Sequence, residues 1–182
     1  MFVHSLRRGG AERVLLEIAL GLIAKGCFVE IVSWVDVDEY TEKRYKSITR
    51  HYLLPKENYR WPWGIPRTAK TLRKVVDQFK PNVIEIHTPN VAWVVAWANL
   101  SLPVVHVLHG YSSITRRGTV KDFVYRLVDR LAQMYIRARL VTVSQSMIAV
   151  AAAHYSIIPS KLTFIPNGID LHKYSYRESK PN

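Results

Sequence analysis

The sequence predicts an α/β domain built on a doubly wound parallel sheet, and two observations lead to that prediction. First, apolar segments of strand length alternate with segments of helical period from Pro81 onward, on connections of two to six residues. Strands that alternate with helices in this way form a parallel sheet covered on both faces. Second, the strand-like segment Phe2-Val3-His4 runs through the pair Gly9-Gly10 into a helix. Strand, glycine turn and helix begin the doubly wound folds that bind nucleotides, and we expect about six or seven strands.

The glycine pair permits two interpretations. Adjacent glycines let the backbone turn sharply and leave no Cβ between the backbone and a ligand. The helix that follows directs its free N–H groups and positive dipole end into the turn, where they suit a phosphate. A tight turn without a ligand is equally compatible with the pair, so the glycines alone do not decide between the two.

The first half of the chain continues with a helix and two strands. Ala11 to Gly26 carries apolar residues on a broad helical face, and Gly26 is placed to end the helix. The segment that follows is rich in β-branched and aromatic residues, which favours a strand. The predicted elements are a strand at 28–34, a loop or short helix at 36–46, a strand at 51–54, a loop at 56–64 and a helix opened by Pro66.

The second half alternates regularly. Strands are predicted at 83–87, 104–109, 140–143 and 162–165, and helices at 91–100, at 120–138, and from Ser144 or Ser146 to residue 154 or 155. The helix at 120–138 has a stripe of apolar side chains at helical spacing, which we expect to face the core while Arg126, Arg130 and Arg137 point outward. The stripe consists of Val120, Phe123, Val124, Leu127, Leu131, Met134 and Tyr135.

Size and composition limit the class of protein. The chain has 182 residues, of which 48% are hydrophobic and 22% charged, as expected for one globular domain with a sizeable core. A single cysteine, Cys27, excludes an intramolecular disulfide and fits a reducing compartment. No segment reaches the roughly 20 apolar residues of a membrane span, and the N-terminus lacks a signal-peptide pattern. We therefore expect a cytoplasmic protein.

The net charge of +12 is unevenly distributed, because residues 56–80 and 116–139 each hold seven basic and two acidic side chains. Clustered positive charge favours an anionic partner, although solvated helix faces are the more common meaning of such a run. Trp61 and Trp63 lie in the first of these segments, followed by Arg67. Amphipathic aromatics beside basic residues favour contact with a membrane surface, here an anionic one.

Four polar side chains stand at or just past the ends of different predicted strands: His4, His87, His109 and Ser144. The carboxyl ends of parallel strands line the crevice where ligands bind, so these side chains should meet beside the glycine turn. A lone histidine at a strand end is more often a hydrogen-bonded structural residue. Three histidines could hold zinc, but no Asp, Glu or Cys accompanies them in the pattern, and no metal is predicted.

Binding of a dinucleotide is a weaker alternative for the glycine turn. Arg13 stands where the third glycine of G-x-G-x-x-G belongs, although Asp36 and Asp38 follow the second strand and could hold a ribose. The sequence contains no Walker lysine motif and no signature of a nucleic-acid-binding module. Nucleic acid is therefore not expected as a partner.

Five segments in order resemble the N-terminal domain of GT-B glycosyltransferases of family 4, the bacterial polysaccharide and glycolipid group. They are Gly9 to Leu15, Pro81 to His87, Val107 to Gly110, Val141 to Ser144, and Ile165 to Asp170. The resemblance implies a Rossmann-like domain, one half of a two-domain enzyme that transfers a sugar from a nucleotide-diphosphate donor with retention of configuration. It implies no cofactor, and keywords such as polysaccharide biosynthesis, cell envelope and membrane association follow from the group.

The resemblance also implies roles for individual residues. Gly9 and Gly10 would approach the donor diphosphate, and His109 would lie near the transferred sugar as the catalytic residue. The saccharide or lipid-linked acceptor would be bound by Arg7, Arg8, His87, Asn90 and Tyr111. His4 and Ser144 would line the crevice, and Trp61, Trp63 and Arg67 would form the membrane surface.

The match to the family pattern has two departures. Fewer apolar residues precede the first strand than the pattern has, and the sequence ends shortly after Asn167-Gly168-Ile169-Asp170, which marks the approach to the interdomain linker. We expect a domain at 1–170 and a linker or tail at 171–182, without the C-terminal domain that binds the donor. The isolated chain should then be inactive. The alternative is a non-catalytic Rossmann-type module that docks on a membrane or on a partner.

Overall fold

A computed structural model describes residues 1–58, 63–110 and 119–168. These residues form a seven-stranded, entirely parallel sheet with the strand order β3-β2-β1-β4-β5-β6-β7. The strands are β1 (Phe2–Val3), β2 (Glu30–Val35), β3 (Thr49–Leu54), β4 (Ile84–Ile86), β5 (Val104–Leu108), β6 (Arg139–Thr142) and β7 (Leu162–Phe164). The doubly wound parallel sheet and the number of strands predicted from the sequence are confirmed.

Within the described residues, five α-helices connect the strands: α1 (Gly10–Ala24), α2 (Ile65–Phe79), α3 (Pro89–Ala98), α4 (Val120–Ile136) and α5 (Met147–Tyr155). Single turns of 3₁₀ helix occur at Lys43–Tyr45, Lys56–Asn58 and Pro159–Lys161. Each described helix is too short or too polar to cross a lipid bilayer.

Local chemistry explains where most of these helices begin and end. Pro66 lies in the first turn of α2, where its missing N–H costs nothing. Gly26, at a φ of 83°, follows the C-cap of α1 in the left-handed conformation that glycine tolerates best. A capping box between Thr119 and Asp122 opens α4, each side chain bonding the other residue's backbone N–H.

Helices cover the sheet unequally, because the strand order reverses once. Right-handed crossovers place α1 on one face and α2 to α5 on the other. Adjacent residues of β1 accordingly enter different cores: Val3 packs with Leu15 and Leu16 of α1, whereas Phe2 belongs to the core beneath α2 and α3. A third cluster joins α5 to β5, β6 and β7.

Helix α4 contradicts the sequence prediction of which side faces the core. Its apolar stripe is exposed, with exposed fractions of 62% at Phe123, 55% at Leu131 and 71% at Met134. The buried residues of α4 are instead Asp129, Ala132 and Gln133. They are buried because a buried indole and two buried imidazoles on the neighbouring elements supply hydrogen-bond partners for the polar side chains.

The arginines of α4 also depart from expectation. Arg130 was expected to point outward, but its guanidinium donates to the backbone carbonyls of Ala153 and His154 at the end of α5. Arg126 is half-buried and donates to the backbone carbonyl of Asp122 one turn earlier. Only Arg137, at the C-cap, is exposed as predicted.

The orientation of α4 can be tested by comparing two leucines. We expect Leu131→Gln to change the free energy of unfolding by no more than about 0.5 kcal/mol, because its side chain is already in solvent. Leu72→Ala on α2, where the side chain is 2% exposed, should cost about 2–5 kcal/mol through the cavity it leaves. Urea denaturation of both variants measures the difference. A loss of several kcal/mol in Leu131→Gln would place the stripe in the core.

Candidate functional site

The parallel strand order gathers the predicted polar residues at one edge of the sheet. His4, His87, His109 and Ser144 follow the carboxyl ends of β1, β4, β5 and β6, which are consecutive neighbours in the sheet. The strand order reverses between β1 and β4, and the crevice at such a switch point is where open parallel sheets bind ligands. We call the residues around it the switch-point crevice: His4, Arg7, Gly9, Gly10, Glu12, Glu85, His87, Asn90 and His109.

The glycine turn is anchored by a tyrosine from the loop that follows β2. The Tyr40 hydroxyl donates to the Gly9 carbonyl at 2.9 Å and accepts from the Gly9 N–H at 3.2 Å. Gly9 is extended, at φ −154°, so its backbone does not require a glycine. A Cβ on Gly9 would lie 2.2 Å from a carboxylate oxygen of Glu12, whereas a Cβ on Gly10 would meet nothing within 4 Å. Gly9 therefore makes room for Glu12, and Gly10 borders open space.

Glu12 is a crevice residue that the sequence reasoning missed. Its carboxylate folds back over the turn and accepts a hydrogen bond from its own backbone N–H. Burial raises the pKa of this carboxyl, while that hydrogen bond and the nearby His87 oppose the rise. A negative group thus occupies the N-terminus of α1, where the dipole favours it.

His4 and Asn90 join the two sides of the switch point. The Asn90 amide nitrogen lies 2.9 Å from His4 Nδ1, in a hydrogen bond that spans 86 residues of sequence. Burial lowers the pKa of His4, and the positive charge of Arg7 lowers it further. Asn90 does not cap α3, since the N-cap is Thr88 and its side chain makes no capping hydrogen bond. Asn90 instead fixes the position of His4.

Two imidazoles and a carboxylate stand in line across β4 and β5. His87 Nδ1 lies 2.8 Å from His109 Nε2, and the two rings are nearly parallel, at 18°. Glu85 Oε1 lies 3.0 Å from His87 Nε2, without the geometry of a hydrogen bond. His87 is 2% exposed, so it can act on a ligand only through His109, which is half-buried.

The electrostatics keep His109 neutral near pH 7. Burial lowers its pKa to about 4, and the neighbouring His87 lowers it as well, whereas Glu85 opposes the shift. A neutral imidazole can share hydrogen bonds with hydroxyl groups, yet it brings no positive charge to a phosphate. Among the described residues, no three His, Cys, Asp or Glu side chains are arranged to hold a metal ion.

The remaining predicted residues lie apart from this centre or outside the described residues. Arg8 is exposed and is held by the 36–46 loop, where its backbone N–H and guanidinium contact Glu39 and its guanidinium pairs with Glu42. Ser144 shares a hydrogen bond with Ser146 at 2.7 Å and does not cap α5. Trp63 and Arg67 are exposed at the start of α2. Trp61 and Tyr111 lie outside the described residues.

The sequence reasoning missed two crevice residues, Glu12 and Glu85, and also Tyr40, which anchors the glycine turn. The sequence pattern predicts no acidic residue beside the histidines, and this is wrong, because Glu85 lies 3.0 Å from His87 Nε2. Glu85 was detectable, because it stands two residues before His87 and alternate residues of a strand share a face. Glu12 and Tyr40 gave no such signal, since their positions depend on how the turn after β1 folds against the loop after β2.

Comparison with known proteins places the chain in a family. The model of Glycosyltransferase Family 4 matches residues 8–173. HepE of Anabaena, solved with UDP and glucose, is 19% identical with a TM-score of 0.69 and aligns over 97% of this chain and 46% of its own. A glycosyltransferase from Rickettsia africae is 15% identical with a TM-score of 0.67, over 99% of this chain and 45% of its own.

The chain therefore spans a little under half the length of these two solved relatives. At such identities the likeness establishes the fold, which is that of one half of a GT-B glycosyltransferase. No curated protein has a sequence that matches the chain at a significant level.

Burial of His106 makes stability depend on pH. Burial lowers the pKa of His106 to about 3, so the unfolded chain binds its proton near pH 6.5 and the folded chain does not. The free energy of unfolding then falls by about 2 kcal/mol as the pH is lowered from 7.5 to 5, because the proton stabilises the unfolded state. Asn cannot titrate. We therefore expect the free energy of unfolding of His106→Asn to fall by about 2 kcal/mol less than that of the wild type over this pH interval.

Urea denaturation at the two pH values measures this difference. The quantity compared is the change in the free energy of unfolding between the two pH values in each protein. Any stability that the substitution itself removes at pH 7.5 therefore cancels. Equal losses in the two proteins would show that His106 is protonated in the fold.

Proposed function

The chain belongs to glycosyltransferase family 4, and from that membership we propose that it is the half of a sugar transferase that binds the acceptor and meets the donor's diphosphate. The whole enzyme would transfer a sugar from a nucleotide-diphosphate donor to a polysaccharide or glycolipid acceptor with retention of configuration. One observation carries the proposal: His109, supported by His87, and the open turn at Gly10 converge on the same switch-point crevice.

The glycine turn is the proposed contact for the diphosphate. The Gly9 N–H is occupied by Tyr40, which leaves the first N–H groups of α1, beginning at Gly10, for phosphate oxygens. The absence of a Cβ at Gly10 lets an oxygen approach the backbone closely. Such N–H groups also stabilise the negative charge that develops on a departing diphosphate.

Glu12 modulates this contact. Its carboxylate lies over the same helix end and would repel a diphosphate, so it must turn away or take up a proton when the donor binds. Its raised pKa lowers the free energy needed for protonation. The Glu12 carboxylate therefore occupies the N-terminus of α1 until the donor diphosphate binds in its place.

His109 is the proposed contact to the reacting sugars. Its Nε2 is engaged by His87, which leaves Nδ1 to hydrogen-bond a sugar hydroxyl. The neutral ring suits an uncharged hydroxyl, whereas the backbone N–H groups of the glycine turn would bind the charged diphosphate. His87 and Glu85 fix the orientation of His109, and we assign them as positioning residues. Arg7, Asn90 and Tyr111 remain proposed contacts for the acceptor.

The role of His109 is tested in the protein that joins this half to a donor-binding domain. We expect His109→Ala to lower turnover of a nucleotide sugar by on the order of 10²-fold, as loss of a hydrogen-bond partner at a reacting centre does, while the protein stays folded despite the lost contact to His87, which the melting temperature checks. His51→Ala is the matched control, since His51 also pairs with a carboxylate, Glu30, at 2.8 Å but lies on β3, outside the crevice. Equal turnover in the two variants would make His109 structural.

The glycine contact is tested with two glycines of the same helix. Gly10→Val should weaken donor use about tenfold or more, by placing a side chain where the phosphate approaches. Gly21→Val is the control, because Gly21 also lies in α1 with open space at its Cβ. The KM for the donor and the melting temperature are the measurements. An unchanged KM for the donor in Gly10→Val would show that the diphosphate does not bind at this turn.

A further inference from the structure

Helix α4 is amphipathic, but it turns its apolar side to solvent. The exposed members of its stripe recur every three or four residues and so form one continuous band along the helix. They are Val120, Phe123, Val124, Leu127, Leu131, Met134 and Tyr135. Single exposed apolar residues are ordinary, whereas a contiguous band of this length marks an interaction surface.

Polar contacts on the inner side hold α4 in this orientation. Asp129, 6% exposed, accepts from the Trp93 indole at 2.6 Å and lies 3.2 Å from His154 Nε2. Gln133 hydrogen-bonds the fully buried His106. A rotation that buried the stripe would expose these groups or leave their partners unpaired, at the cost that buried polar atoms carry. The outward stripe is thus fixed by the fold.

The charge beside the stripe is positive. Lys121 and Arg137 are exposed near its two ends. Of the two acidic residues of α4, Asp129 is buried, so Asp122, which forms the capping box with Thr119, is the one that remains at the surface. An apolar band bordered by basic residues is the composition of helices that lie in the plane of an anionic bilayer.

Aromatic side chains mark the far end of the surface. The Tyr135 hydroxyl donates to the Asn99 side chain at 2.8 Å, and Trp93 contacts Asp129, so α3 and α4 run parallel in register. Trp97, 61% exposed, lies on the turn of α3 between these two contacts. Tyrosine and tryptophan favour the boundary between lipid and water, where one part of the ring is apolar and the other is wet.

We propose that the outer face of α4 docks the protein on an anionic phospholipid bilayer, with the apolar stripe in the acyl boundary and the basic residues at the headgroups. Pairing of this face with a second copy is disfavoured, because a two-fold contact would bring the basic residues of both copies together. The proposal moves membrane contact from the segment around Trp63 to α4. It does not depend on the transferase activity.

Vesicle co-sedimentation tests the stripe, with the 182-residue chain as the protein. We expect binding to vesicles of phosphatidylglycerol and phosphatidylcholine, and weaker binding to phosphatidylcholine alone. Phe123→Gln combined with Leu131→Gln should lower the partition coefficient by on the order of tenfold or more. Phe28→Gln is the control, because Phe28 is 92% exposed on the connection between α1 and β2, away from α4, and its loss should change nothing.

A second pair of variants tests the charge. Lys121→Gln combined with Arg137→Gln should weaken binding to the anionic vesicles several-fold, and rising salt should reduce that difference. Lys25→Gln combined with Lys46→Gln removes the same net charge from exposed positions on the α1 side and should have a smaller effect. Circular dichroism and melting temperature confirm that each variant is folded.

Three outcomes would overturn the proposal. The first is equal binding of the folded Phe123/Leu131 and Phe28 variants, which would leave the stripe without a part in docking. The second is equal sedimentation with neutral and anionic vesicles. The third is a dimer in solution that the Phe123/Leu131 variant disperses, because the face would then belong to a second copy.

Discussion

The structure depends on the central position of β1, which pairs with β2 on one side and with β4 on the other. Phe2 is the partner of Val32 in one ladder and of Ile86 in the other. The two-residue strand β1 therefore joins β2 to β4, although Val32 and Ile86 are more than 50 residues apart in sequence. The chain leaves β1 toward β2 on one side and later returns to β4 on the other. The connections that follow the carboxyl ends of β1 and β4 therefore run in opposite directions. The space between them is the crevice, and His4, the glycine turn and His87 reach it for this reason.

Within the crevice, burial determines the chemistry more than charge pairing does. His109 stays neutral because it is partly desolvated beside a second imidazole, although Glu85 lies behind that imidazole at 3.0 Å. The same desolvation raises the pKa of Glu12 at the helix end. A site of this kind suits uncharged hydroxyls at the histidine and an anion at the backbone N–H groups.

Asp129 imposes the second constraint. A carboxylate that is 6% exposed needs partners, and it has them in the Trp93 indole and the His154 imidazole. These contacts join α3, α4 and α5, and Arg130 strengthens the connection by donating to the last carbonyls of α5. Their consequence is that the apolar side of α4 faces away from the sheet, which gives the domain an apolar surface separate from the crevice.

The sequence by itself determined the order of the elements and the edge at which the polar residues meet. Strand and helix periods are local properties, and parallel strands bring their carboxyl ends together whatever the details of packing; hence His4, His87, His109 and Ser144 were placed correctly. The sequence also contained the apolar stripe of α4, but a helical period shows only that one side differs from the other. Which side is buried depended on Trp93, His106 and His154, three partners distant in sequence that satisfy Asp129 and Gln133. Likewise the position of the Glu12 carboxylate, against Gly9 and near His87, follows from how the turn after β1 folds. Such pairings arise from contacts between separate elements, so only the tertiary structure could decide them.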